Sequence, residues 1–418
     1  MSTRRDFLKT SSLLGFGATV PTFLGRTALA APTADKAGAK DTILVVIQLT
    51  GGNDGLNTVI PFKDADYAKY RPTIGIKKDD VKKLTDSIGL HPAMGDLAGL
   101  YEDRSLCVVQ GVGYPNPSQS HFRSMDLWQA ASTAESLTEG WLGKAFKQKP
   151  VAGFHLSAGG NETAPLALSG APARVPSITS IEDFQLKSAA ADAADKAKQK
   201  SLIAGSVDSQ NPGANAPGSP GLLDFVKRTA MNTYASSDRL RDVAKNYEPK
   251  ATYPTTPLAT RLKMAAQLID AGLGARIFYV SLDGFDTHAG QGAATGNHAN
   301  LLGEVSGAIT AFYKDLSARG HKDRVCVMTF SEFGRRAKEN GSNGTDHGSA
   351  APMCLVGGKV HPGILGDHPN LGKLDDGNLV HHTDFRKVYA AVLENWLGIE
   401  SKPVLGEKFE ALGVFNKA

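Results

Sequence analysis

The chain has 418 residues and a mass of 44.1 kDa, enough for one large α/β unit or for two or three domains. Hydrophobic residues make up 41% and charged residues 21%, which excludes a collagen-like or wholly disordered chain. Of the net charge of +4, +3 sits in the first thirty residues (Arg4, Arg5, Lys9 and Arg26 against Asp6). The remainder is close to neutral, so the basic balance is no argument for a nucleic-acid partner.

Ser2-Thr3-Arg4-Arg5-Asp6-Phe7-Leu8-Lys9 precedes a mildly apolar stretch from Ser11 to Leu24, and Ala28-Leu29-Ala30 then supplies a small-x-small cleavage pattern. The paired arginines resemble a twin-arginine export signal, which a receptor reads. An ordinary secretory signal or an uncleaved anchor is the alternative. Gly15, Gly17 and Pro21 interrupt the stretch and leave it short of the ~20 residues a span requires. The expected map is a signal at 1–30, a linker at 31–41 and an α/β domain over 42–418. The expected partner is the twin-arginine machinery, the destination periplasmic or otherwise exported, with no membrane span in the mature chain. Cys107, Cys326 and Cys354 each lie in an apolar, strand-like run and read as buried free thiols rather than a disulfide.

The first strand signal is Ile43–Leu49, an apolar run of the kind buried on both faces of a parallel sheet. Comparable runs are 106–110, 276–282, 324–330 and 352–356. Helical periodicity alternates with them over 257–271, 301–316 and 383–397, the last with Thr383 as its cap and Gly398 at its end. Residues 186–221 lack the apolar content of a core, and 186–250 reads as a helical, low-complexity insertion. Strands alternating with helices predict a three-layer α/β sandwich with a predominantly parallel sheet.

In such sheets ligands bind beyond the carboxyl ends of the strands. There the sequence places Thr50-Gly51-Gly52-Asn53-Asp54-Gly55-Leu56-Asn57, then Asp283-Gly284-Phe285-Asp286-Thr287-His288, then Ser331-Glu332-Phe333-Gly334-Arg335-Arg336 with Gly344-Thr345-Asp346-His347-Gly348. Carboxylates and imidazoles brought to one edge from separate strands suit a divalent ion. Each piece has a plainer reading: Asp54 as a turn residue, Asp286 and His288 as helix caps, Asp346-His347 as a loop pair, Arg335 and Arg336 as solvated charges. Ser120 starts a helix from His121 to Ala131, either as a cap or as a nucleophile beside exposed N–H groups. Dinucleotide and Walker patterns are absent from the strand–helix junctions, and no Gly-x-Ser-x-Gly elbow occurs.

The succession Gly-Gly-Asn-Asp-Gly-Leu-Asn, Leu90-His91-Pro92, Ser120-His121-Phe122, Gly140-Trp141-Leu142, Gly284 to His288, Ser331 to Arg336 and Gly344 to Gly348 resembles the domain of unknown function 1501 family, exported bacterial proteins often carrying twin-arginine signals. The resemblance covers roughly 42–400 and implies a fold similar to the alkaline phosphatase and arylsulfatase superfamily. It implies Asp54 as the ligand after the first strand, Ser120 as the nucleophile, Asp286 with His288 (or His298) as the middle ligands, and His347 as the last. Related enzymes carry Ser-Asp-His-Gly where this chain has Ser331-Glu332-Phe333-Gly334. Glu332 then replaces Asp, and Phe333 removes a ligand of the second metal unless His121 or Asp346 supplies it. An oxygen-rich second site of Asp54 and Glu332 would take Mg²⁺, Mn²⁺ or Ca²⁺ rather than Zn²⁺.

The expected function is a metal-dependent hydrolase of a phosphate or sulfate ester, acting on a small-molecule or envelope substrate, with Arg335 or Arg123 on the non-reacting oxygens. The alternative is a non-catalytic cell-envelope binding protein that keeps the fold. Replacing Arg4 and Arg5 together by Lys is expected to leave precursor in the cytoplasm. Cell fractionation showing undiminished export of the double variant would refute the twin-arginine reading.

Overall fold

Seven residues with an aliphatic majority, Ile43–Leu49, form the central strand β1, and every one of them is buried. The computed structural model describes residues 41–149, 151–159, 162–172, 175–181 and 246–416. The expected signal and most of the expected linker and 186–250 insertion lie outside the described residues. The chain divides into two units. The larger comprises Lys40–Thr179, Glu248–Ala266 and Ala275–Ala418; the other, Met1–Ala39, Ser180–Tyr247 and Gln267–Gly274, falls almost wholly outside the described residues.

The other strands of the main sheet are β2 (Leu106–Gly113), β3 (Ala152–Leu156), β4 (Ser177–Ile178), β5 (Ala275–Leu282), β6 (Val325–Phe330), β7 (Ala351–Gly357), β8 (Gly363–Leu365) and β9 (Thr383–Asp384). Their order is β8-β2-β7-β6-β1-β5-β3-β4, with β9 also pairing β2. β1 runs parallel to β5 and β6, and among the described strands of this sheet only β7 runs against its neighbours, β2 and β6. The reason lies in the connection. A parallel return needs a crossover, usually a helix, and the polar, glycine-rich segment 331–350 between β6 and β7 forms none. It leaves and re-enters the sheet at the same edge, the carboxyl edge of β1, β5 and β6.

The described helices include α1 (Gly95–Glu102), α2 (His121–Ala130), α3 (Trp141–Gln148), α4 (Pro257–Asp270), α5 (Asn297–Ala318) and α6 (Phe385–Ala391). α2, α3 and α6 cover the sheet face that presents Leu44 and Val46 of β1, through Leu127, Trp128, Trp141, Phe146, Val388 and Tyr389. Trp128 is the centre of that layer, stacked on Phe385 at 4.2 Å and on Phe330 at 5.6 Å between ring centroids. Both faces of β1 are shielded, as the run of apolar residues requires. Thr383 does not cap α6: Asp384 does, its carboxylate accepting the Arg386 N–H at 2.9 Å, because Asp384 is the residue that stands immediately before the first helical turn. The three cysteines are free and buried.

Below the carboxyl edge sits a buried ion pair. Asp54 Oδ2 accepts from Arg71 Nη1 at 2.6 Å and Oδ1 from Arg71 Nη2 at 3.0 Å, and both side chains are fully buried. Burial pushes the Asp54 carboxyl up, but the charge and hydrogen bonds of Arg71 outweigh it and hold the group at about 2. That is below the ~3.9 of an unfolded Asp, so the pair's contribution to stability is complete above pH ~4 and is lost as pH falls toward about 2. Asp54→Asn is therefore expected to flatten the acid limb of a stability–pH curve over that window. Arg71→Met, which strands the carboxylate, should cost about 3–5 kcal/mol by urea unfolding at pH 7. An unchanged midpoint in Arg71→Met would show that the pair does not hold the fold.

Candidate metal centre

The loops that follow β1, β5 and β6 and the start of α2 meet at one point. Gly51 (φ +118°) and Gly52 (φ +75°) make this approach possible. A Cβ on Gly51 would lie 2.4 Å from the Asp286 amide nitrogen, and one on Gly52 would lie 2.3 Å from the Phe333 ring. No side chain fits at either place.

Three histidines there share one pattern. His121 Nδ1 lies 2.8 Å from Glu332 Oε1, His347 Nδ1 lies 2.8 Å from the Gln119 carbonyl, and His288 Nδ1 lies 3.3 Å from Asp346 Oδ1. Carboxylates and carbonyls only accept, so each Nδ1 carries a hydrogen, and Nε2 is the nitrogen left to take a cation. All three Nε2 atoms face Asp286: His288 at 3.1 Å and His347 at 3.2 Å from Oδ1, His121 at 3.4 Å from Oδ2. One donor atom each from His121, Asp286 and His347 falls within 4.8 Å of the others. His121 Nε2 is buried and has no hydrogen-bond partner. His288 Nε2 and His347 Nε2 stand 2.8 Å apart, and two lone pairs at that distance repel unless a proton or a cation lies between them.

The surroundings reinforce the pattern. Phe333, fully buried, packs its ring against His121 at 4.9 Å and His347 at 4.7 Å. Glu332 also accepts the Gly51 N–H at 2.9 Å, tying the loop after β1 to the loop after β6. Burial pushes the Asp286 carboxyl up, but the hydrogen bond and charge of Arg335, with His347 beside it, bring it below its ordinary value. Burial lowers His347 despite its bonds to Asp286 and Gln119. At neutral pH the cluster therefore presents a carboxylate and a neutral imidazole.

Of the residues singled out in the sequence, Asp286, His288 and His347 meet here. Glu332 and Asp346 stand one layer out, each holding a histidine by Nδ1. Asp54 does not reach the cluster. Its oxygens are taken by Arg71 and by Gln291 Nε2 at 2.6 Å, so the expected oxygen-rich site of Asp54 and Glu332 is not formed. Asp54 acts at a distance: Gln291 Oε1 accepts from the hydroxyls of Thr287 at 2.9 Å and Thr345 at 2.8 Å, the residues just before His288 and Asp346. His298 is likewise excluded, its Nε2 on Asn53 Oδ1 at 2.9 Å and its ring pushed down by burial to about 4.

Arg335 is not placed to bind a substrate anion. It is buried, and its Nε and Nη groups donate to the carbonyls of Gly51, Gly52, Phe285 and Thr345 and to Asp286 Oδ1. Arg123 donates to the carbonyls of Ala134 at 2.6 Å and Glu135 at 3.1 Å, which fasten α2 to the loop after it. Ser120 is exposed at the N-cap of α2 and makes no side-chain cap bond. It stands between Gln119, whose carbonyl holds His347, and His121. The sequence reading undervalued His121; its signal was the Ser-His-Phe step at a helix start.

The sequence matches the family model described as "Protein of unknown function (DUF1501)" over residues 40–399. The chain belongs to this family. No curated protein matches it. Among solved structures it is similar to the C-terminal periplasmic domain of EcEptC from Escherichia coli in complex with Zn, at 10% identity and a TM-score of 0.34, covering 78% of this chain and 76% of that one. It is also similar to an alkaline phosphatase superfamily protein from Vibrio parahaemolyticus, at 10% identity and 0.37, covering 94% and 78%. A third is the PsFucS1 sulfatase from Pseudoalteromonas sp., at 10% and 0.36, covering 94% and 77%. At such TM-scores these likenesses carry no argument about the chemistry of this DUF1501 member, which rests on its own residues. Among the described residues no helix is long and apolar enough to cross a membrane.

Arg335→Met should cost at least about 3 kcal/mol, since it leaves buried carbonyls and Asp286 without their donor. Urea unfolding measures it, and a loss under about 1 kcal/mol would show that Arg335 is not the tie between these loops.

Proposed function

We propose that this protein is an exported, divalent-metal-dependent hydrolase of phosphate or sulfate esters. The observation that carries the reading is the convergence of three imidazole Nε2 atoms on Asp286, with every Nδ1 fixed by an acceptor. Metal-ligating histidines characteristically donate their second ring N–H to a carboxylate or carbonyl in this way. A donor set rich in imidazole with one carboxylate favours Zn²⁺ over Mg²⁺, Mn²⁺ or Ca²⁺.

A bound ion would supply positive charge to an ester oxygen and favour the ionised form of a nearby hydroxyl. The remaining work falls to the chain. Ser120, exposed at the N-cap of α2 next to His121 in the chain, is the nucleophile of this reading. The first-turn N–H groups of α2 (ten residues long) receive the non-reacting oxygens, since Arg335 and Arg123 are engaged elsewhere. Asp286 and His347 hold the ion, His121 and His288 complete its surroundings, and Glu332 and Asp346 keep those two rings turned toward it.

Elemental analysis and ester hydrolysis on the same preparation test this. The metal-replete protein is expected to hydrolyse p-nitrophenyl phosphate or sulfate. Asp286→Ala with His347→Ala should lose the metal, Glu332→Gln should weaken metal binding about 10–100-fold, and Ser120→Ala should lose hydrolysis with the metal retained. Full activity in Ser120→Ala would remove the serine from the mechanism. Metal binding without hydrolysis of either ester would favour the binding-protein reading.

A further inference from the structure

A second group of side chains, far from these ligands in sequence and built on different strands, has the arrangement of a serine nucleophile with its base. His155 of β3 and Ser177 of β4 are register partners in a parallel pair at the end of the sheet. The Ser177 hydroxyl lies 2.7 Å from His155 Nδ1, and His155 Nε2 lies 3.3 Å from Glu162 Oε1. The imidazole is fully buried, the Glu162 side chain is 25% exposed, and Ser177 is open to solvent.

The order of donors follows from the partners. The Glu162 carboxylate only accepts, so Nε2 carries the ring hydrogen and Nδ1 offers a lone pair to the Ser177 O–H. Glu162 is itself fixed, because Oε2 accepts from Ser157 Oγ at 2.9 Å and from the Ala158 N–H at 2.5 Å. Burial holds His155 below the ordinary histidine range, which keeps it an unprotonated base at neutral pH. A nucleophile on a base that a third group orients is the signature of covalent catalysis, and it is recognised by geometry rather than by sequence motif. A buried histidine that merely satisfies its hydrogen bonds needs no solvent-exposed serine.

We infer that Ser177, His155 and Glu162 form a second, metal-independent site that cleaves carboxylic esters through an acyl-serine. Ser177 Oγ bonds to the acyl carbon as its proton passes to His155 Nδ1. The ester C–O bond breaks, and the alcohol leaves with that proton. Water then attacks the acyl carbon and gives its proton to Nδ1; the acid leaves, and Ser177 Oγ takes the proton back. Nε2–H stays on Glu162 throughout. The site shares no residue with the candidate metal centre and stands whether or not that reading holds.

The test is labelling of the purified full chain by a biotinylated fluorophosphonate, with peptide mass spectrometry to locate the adduct and EDTA present in a parallel sample. The reagent forms an Oγ–P bond at an activated serine and releases fluoride. The expected result is one adduct at Ser177, unaffected by EDTA and absent in Ser177→Ala. It should be slowed about 100-fold in His155→Gln and about 10-fold in Glu162→Gln. Because His155 is buried, circular dichroism accompanies each variant, and Glu162→Gln decides the matter if His155→Gln does not fold. No adduct at Ser177, an adduct that EDTA abolishes, or an unchanged rate in folded Glu162→Gln would each overturn the proposal.

Discussion

The buried pair of Asp54 and Arg71 is the constraint on which the functional edge depends. A carboxylate and a guanidinium with no exposed surface hold their place only if every remaining donor and acceptor is matched. Here the matching runs outward. Arg71 donates onward to the carbonyls of Ala337 and Arg336, and Asp54 takes Gln291, which takes Thr287 and Thr345. One charge pair thereby sets the positions of two loops that carry His288, Asp346 and His347. The aspartate of the Gly-Gly-Asn-Asp-Gly motif is a foundation for the centre rather than part of it.

The arrangement above that foundation is a matter of orientation. An imidazole can present either nitrogen, and only its second partner decides which. Glu332, Asp346 and the Gln119 carbonyl decide it for His121, His288 and His347 in the same sense. Phe333 adds a packed wall behind two of the rings. Arg335 performs the corresponding task for the backbone, drawing carbonyls from three loops around one guanidinium. Its planar fork of donors suits that role, and a lysine would reach fewer of them.

The reversal of β7 gives this edge its density of functional groups. Because the chain between β6 and β7 returns without a crossover, the whole of 331–350 stays where the parallel strands end. Glu332, Phe333, Arg335, Asp346 and His347 all come from that one excursion. At the far end of the same sheet, β3 and β4 place His155 beside Ser177 by register alone, a pairing between residues too far apart in sequence for any motif to announce.

The sequence by itself determined the α/β class, the strand cores and the edge at which polar residues gather. Those depend on local periodicity and on buried apolar runs, as at Ile43–Leu49, and a resemblance carried by short motifs added the family. It also picked out Asp286, His288 and His347, because acids and imidazoles at several strand ends are uncommon. Tertiary structure alone decided what each polar residue does. Whether Asp54 meets a cation or an arginine depends on Arg71, and whether Arg335 is free depends on carbonyls contributed by three loops. Whether His121 belongs to the cluster depends on the approach of α2 to Glu332. Residue type fixes what a side chain can bind; only the fold fixes which partner arrives first, because burial leaves each donor and acceptor no choice but its nearest neighbour.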